Sequence, residues 1–248
     1  MDDHSLILKY KTRAQINKIV GKIGAQPMKK LSHGFAKYGP IPILEAAKKQ
    51  AAEFTGTNKN KNAAVSLMGV VLSAARNYKT QVEPHLEKLR TRYSDLTLQK
   101  LKRMCSQRNY MQFKEVWGHA DEKKFETLKS LLEAILALRR DGLDDMKLMR
   151  NWACSAHLER RKTDSLGSLK NVGIATFQHL RIVFGADTVK PDRRVREVLE
   201  KEFGAKLSAA KAIQAAEEIA QLTGLKVIEI DQVFVKYGSG YYAKSINN

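Results

Sequence analysis

The stretch Ala63 to Tyr78, AAVSLMGVVLSAARNY, constrains this chain more than any other. Its residues are apolar almost all the way round. A helix without a polar face has to be covered by its neighbours, so the chain must wrap further elements around this one. The candidates are plain in the sequence. Ile16, Ile19, Val20 and Ile23 recur at helical spacing from Arg13 and predict a short amphipathic helix ended by Gly24. Ile43–Phe54, Leu96–Met104 and Phe113–Trp117 read as helices of varying length. The stripe Phe125, Leu128, Leu132, Ile135 and Leu136 is stopped by Gly142. LDDMKLMRNWACSAH places two aspartates at its start, as the helix dipole favours. Arg193–Phe203, Ser208–Thr223 and IDQVFVKYG complete the series, while SHGFAKYGPIP reads as loop. Only KVIEI hints at a strand. The fold class expected from this periodicity is all-α, with about ten or more helices. TGTNKNKN, Thr55 to Asn62, is a polar break and the best lobe boundary.

Charge decides the partner class. Across 248 residues, 44 Lys and Arg face 26 Asp and Glu, a formal net charge of +18. Self-repulsion on that scale is usually matched to a polyanion, and nucleic acid leads. An anionic membrane is the weaker reading, because the sequence has no apolar span and no long basic amphipathic end. Cys105 and Cys154 are too few for a disulfide framework, a four-cysteine zinc site or an iron–sulfur cluster. Cys154 and His157 fall one turn apart, but two ligands do not hold a metal, so no metal and no cofactor is expected. MDDHSLILKYKTR starts acidic and lacks the apolar core of a secretion signal, so an intracellular protein is expected, in cytoplasm, nucleoid or nucleus.

Ser168 to Val195, SLKNVGIATFQHLRIVFGADTVKPDRRV, carries the most specific pattern. Two amphipathic segments flank a short turn. Leu169 and Val172 anchor it, Asn171 is the residue type that best replaces glycine at positive φ, and Gly173 frees the backbone. Thr176 falls in the first turn of the following helix, where its hydroxyl can satisfy backbone groups. Amides exposed at that helix start suit a DNA phosphate. A plain antiparallel helix pair would use the same glycine.

LKNVGIATF, FGADTVKPDRRVREVL and the apolar VVLSAARNYKTQVEPHLEKLRTRYSDL together resemble the helix-hairpin-helix Gly/Pro-Asp superfamily of DNA glycosylases. The family's hairpin reads Leu-Pro-Gly-Val-Gly-x-x-Thr-Ala. Leu169, Val172, Gly173 and Thr176 match it, whereas Lys170, Asn171 and Phe177 depart. Asp192-Arg193-Arg194-Val195 matches the family's catalytic aspartate motif, and Val71 to Ala75 the end of its central helix. The resemblance covers about Ala63 to Phe203. It implies a two-lobed all-α fold with a cleft, one lobe spanning 62–184 and the other 1–61 plus 185–248. It also implies a monomer acting on double-stranded DNA that holds a damaged or mispaired base.

Removing a base requires flipping it from the stack, and breaking its bond to the sugar develops oxocarbenium character. A fixed carboxylate can stabilise that cation and take a proton from attacking water. The resemblance gives that role to Asp192; the plain alternative is an aspartate capping a helix. Relatives that also cut the backbone carry a lysine where this chain has Ala175, so a monofunctional glycosylase without a lyase step is expected. Lys170, Asn171, Val172, Gly173, Ala175, Thr176, Arg193 and Arg194 are the expected DNA contacts. Arg76, Asn77 and Tyr78 follow the central helix where relatives place the hole-filling wedge, though Tyr78 is equally readable as core. Trp117, Trp152 and Phe177 are candidates to stack on the base or to sit in the core. NKNKN and ERRK are candidate phosphate loops or solvated charge. The rival from another class is a non-catalytic protein that clamps phosphates through the hairpin without sequence specificity.

Overall fold

A computed structural model describes residues 5–56, 62–74, 76 and 81–242. Among these the chain is all-α. The described residues form thirteen α-helices and one 3-10 helix (Ile7–Lys9), and the only β pairing among them is an isolated antiparallel bridge, Pro27 to Pro42. KVIEI is not a strand: Lys226 precedes helix α13 (Val227–Tyr241), and local propensity gives way to the apolar face that buries Ile228, Ile230, Val233 and Phe234. Among the described residues, no helix is long and apolar enough to cross a membrane. The chain divides into two compact units, Met1–Gly56 with Asp187–Asn248, and Thr57–Ala186.

The first unit holds α1 (Arg13–Ala25), α2 (Phe35–Tyr38), α3 (Ile43–Thr55), α11 (Arg193–Phe203), α12 (Ala209–Thr223) and α13. Helix α13 packs on α3, α11 and α12, and α1 packs on α3 and α12. Helix α1 runs past Gly24, which serves contact rather than termination. A Cβ there would lie 3.0 Å from that of Leu44, so the glycine lets α1 and α3 approach. Glu218 on α12 ties down the N-terminal segment by accepting from Leu6 N at 2.9 Å and Ile7 N at 2.7 Å. The expected loop SHGFAKYGPIP contains the single turn α2, framed by Gly34 and Gly39, both at positive φ.

The second unit is built around α4 (Ala63–Ser73), in which ten of eleven residues are buried. Asn62 starts it: Oδ1 accepts from Val65 N at 3.0 Å, while Nδ2 donates to Leu96 O at 2.9 Å. Around it lie α5 (Glu83–Arg92), α6 (Leu98–Ser106), α7 (Tyr110–Trp117), α8 (Glu122–Ala137), α9 (Asp145–Ser155) and α10 (Ile174–Val183). Their apolar faces close one core. The apolar run predicted one helix through Tyr78, but α4 stops at Ser73, where Ala74 turns extended. The Lys124 ammonium meets the freed carbonyls, 3.2 Å from Val71 O, and so caps the negative end of α4.

Candidate functional site

The expected helix pair is only half regular. Helix α10 is present, but the segment before it is a chain of tight turns from His157 to Val172. Its order comes from side chains. Asp164 accepts from Leu166 N and Gly167 N, each at 2.8 Å, and from the Trp152 indole N–H. Arg161 Nη1 donates to Gly167 O at 2.8 Å and to Val172 O at 2.9 Å, bracing both ends of the turn. Gly167 is required by crowding: a Cβ would lie 2.7 Å from Arg161 O and 2.9 Å from Phe177 Cε2.

Asn171 is the only described non-glycine residue at positive φ, 69°. Asparagine tolerates that left-handed position better than most residues. Gly173, expected to free the backbone, is not needed for conformational freedom. Its φ of −75° suits any residue, and a Cβ there would meet nothing within 4 Å. The space lies on the solvent side, directly before α10. No side chain caps that helix start, and among the described residues the Ile174, Ala175 and Thr176 amides have no acceptor. The Thr176 hydroxyl likewise makes no hydrogen bond among the described residues, correcting the expectation that it satisfies the backbone. Val172 is buried in the core, whereas Lys170 is exposed beside the turn, as are Arg160 and Lys162 of ERRK; Arg161 points inward as the brace.

The wedge candidates divide. Asn77 and Tyr78 lie outside the described residues, as does NKNKN apart from Asn62. Arg76 Nη2 donates to His119 Nδ1 at 2.7 Å. That leaves the hydrogen on Nε2, facing Asp121 Oδ2 at 3.6 Å, longer than a hydrogen bond. Burial, then the Arg76 charge, hold the His119 pKa below the usual histidine value. Trp117, Trp152 and Phe177 are core rather than base-stacking surface, at 1%, 7% and 0% exposure. Trp152 meets Phe177 edge-on at 5.8 Å. Ser73, at the end of α4, donates to Val70 O at 2.8 Å and so receives the Nδ1 hydrogen of His179, 3.0 Å away on α10.

In the first unit, Asp192 caps α11. Oδ1 accepts from Arg194 N at 2.8 Å and Val195 N at 3.2 Å, while Oδ2 has no partner among the described residues. The side chain is thus held at one oxygen and open at the other, in a half-buried position. Its own amide donates back to Lys190 O at 2.7 Å across Pro191. The two arginines that follow are not alike. Arg193 is exposed with no partner among the described residues, whereas Arg194 pairs with Glu197 at 2.9 Å.

Behind Asp192 lies a buried polar set that sequence reading missed. Asp231 is 2% exposed; its oxygens accept from Lys190 N and Gln232 Nε2, each at 2.8 Å. Burial, then the charge of Asp192, push it up to about 7. Lys236 is fully buried and donates to Gln50 Oε1; burial pulls its ammonium down to about 7. His33 is lowered to about 4 by desolvation, then by Lys236 and Lys190. The signal was available: charged residues sit inside the apolar pattern of VIEIDQVFVKYG, where a solvent-facing helix would not bury them.

No family model, curated protein or solved structure matches this chain.

Proposed function

We propose that this chain is a monofunctional DNA N-glycosylase that hydrolyses the bond between a damaged or mispaired base and its deoxyribose. The observation that carries the reading is the Asp192 carboxylate, with one oxygen fixed by two helix amides and the other free. A carboxylate so oriented fits the developing oxocarbenium cation on one side and an attacking water on the other. In that step water oxygen bonds to the sugar C1′, the C1′–N bond breaks with its electron pair leaving on the base, and Asp192 takes the proton of the water. Ala175 offers no amine for a Schiff base, so the product is an abasic site and an unbroken backbone.

Affinity comes from the net charge of +18 and, in the second unit, from the uncapped start of α10 beside Lys170, Arg160 and Lys162. On this reading the two units are the lobes of the helix-hairpin-helix glycosylase fold that the sequence resembles.

The test is base release from duplex oligonucleotides carrying a panel of oxidised, alkylated, deaminated and mispaired bases, read after hot-alkali cleavage. The expected result is alkali-labile strand for at least one substrate, and no covalent complex on borohydride treatment. DNA binding without base release from any substrate would leave a phosphate clamp. Borohydride trapping would contradict the monofunctional assignment.

A further inference from the structure

The segment from Asp187 to Asp192 is joined to α13 by carboxylates at two points. Asp187 Oδ1 accepts from Ile228 N, and Asp231 Oδ1 accepts from Lys190 N, each at 2.8 Å. The bonds run in opposite senses: the segment supplies the acceptor in the first, α13 in the second. Lys190 then passes the constraint on, because its carbonyl accepts the Asp192 amide at 2.7 Å. Pro191 between them is buried and has a fixed φ. The carboxylate of Asp231, the Lys190 backbone and the Asp192 backbone therefore form one continuous strut.

From this geometry we infer that Asp231 is a positioning residue for Asp192, setting where its free oxygen points by holding the Lys190 amide. The inference rests on the reading of Asp192 as the catalytic carboxylate. An aspartate with 2% exposure beside a second carboxylate is an expensive choice for a helix-packing position. Apolar residues would pack α13 at less cost, so its place needs a reason beyond packing. The groups facing Asp231 support this account: Lys190 and Asp192 from the strut, Gln232 beside it, and Lys236 further along α13, itself bonded to Gln50 of α3. The raised pKa of Asp231 follows from burial and from the Asp192 charge, which places the two carboxylates within electrostatic reach.

The experiment compares the unmodified protein with Asp231→Ala and Asp231→Asn on two readouts. One is amide hydrogen exchange at Lys190 and Asp192. The other is base release under saturating and limiting DNA. Asparagine keeps an oxygen for the Lys190 amide and alanine does not. Asp231→Ala is expected to speed exchange at both amides at least 10-fold and to lower kcat about 10- to 100-fold with KM within about 3-fold, and Asp231→Asn to restore most of both. Unchanged exchange at Lys190 in Asp231→Ala would overturn the strut whatever the activity. Faster exchange with unchanged kcat would overturn positioning and leave the glycosylase reading intact. No base release by the unmodified protein would overturn both.

Discussion

The Trp152 indole nitrogen lies 3.2 and 3.3 Å from the two carboxylate oxygens of Asp164. The same carboxylate holds the amides of Leu166 and Gly167, so one side chain joins the core of the second unit to the turn before α10. Asp164→Ala leaves three donors without their acceptor. A destabilisation of about 2–4 kcal/mol is expected in urea denaturation. Asp164→Asn, which keeps an oxygen for Gly167, is expected to lose less than half of that. Equal losses would mean that the charge, not the acceptor, matters.

Two glycines of the hairpin separate folding from binding. Gly167→Ala drives a Cβ into Arg161 and Phe177 and is expected to cost about 2 kcal/mol or more. Gly173→Ala meets open space at an ordinary φ, so its melting temperature should shift by no more than about 2 °C. With a DNA phosphate held at the start of α10, the added methyl group should crowd it, and DNA affinity should fall about 10-fold. An unchanged affinity would remove the α10 start from the DNA contact.

Salt distinguishes the paired arginine from the unpaired one. Affinity for duplex DNA should fall linearly on a log–log plot against salt concentration. Arg193→Ala should reduce that slope by about 1. Arg194→Ala should reduce it less, because Arg194 is already paired with Glu197. Equal slopes for the two variants would show that the Arg194–Glu197 pair opens on DNA.

Two buried titratable groups of α13, Asp231 and Lys236, predict an unusual pH profile. Asp231 is raised to about 7, so its stability contribution is present at low pH and lost as pH rises through about 7. Lys236 is depressed to about 7 from 10.5, so its contribution is complete above 10.5 and lost as pH falls through about 7. Together they place a local minimum near neutrality. Lys236→Met removes the alkaline rise. The unmodified protein should therefore gain on the variant by about 2 kcal/mol between pH 7 and pH 9 in paired denaturation curves. A constant difference would show that Lys236 does not titrate in that window.

What could be read from the sequence was what depends on short range. The period of apolar residues located α11 at Arg193–Phe203 to the residue, because Asp192 caps it and Gly204 at φ 75° ends it. The left-handed turn at Asn171 was legible for the same reason: residue type and backbone conformation are linked locally. Three features were not. The end of α4 at Ser73 is met by Lys124, about fifty residues away, whose ammonium donates to the final carbonyls. ERRKTDSLGS reads as a loop and is one, but the amphipathic segment expected from Ser168 is not a helix: the turns that Asp164 and Arg161 brace continue to Val172. The Asp231 strut joins residues 41 positions apart and has no local signature beyond a charge in an apolar stripe. Trp117, Trp152 and Phe177 were ambiguous in sequence because an aromatic at helical spacing can face either way; packing put all three inside.

Whether Asp192 performs the hydrolysis is decided by Asp192→Asn under single-turnover conditions on whichever lesion the unmodified protein excises. Asparagine is as good a helix cap as aspartate and keeps an oxygen for the Arg194 and Val195 amides, so the fold and DNA affinity should hold. Base release should fall about 1,000-fold or more with affinity changed less than about 3-fold. Base release within about 5-fold of the unmodified rate would contradict that role for Asp192.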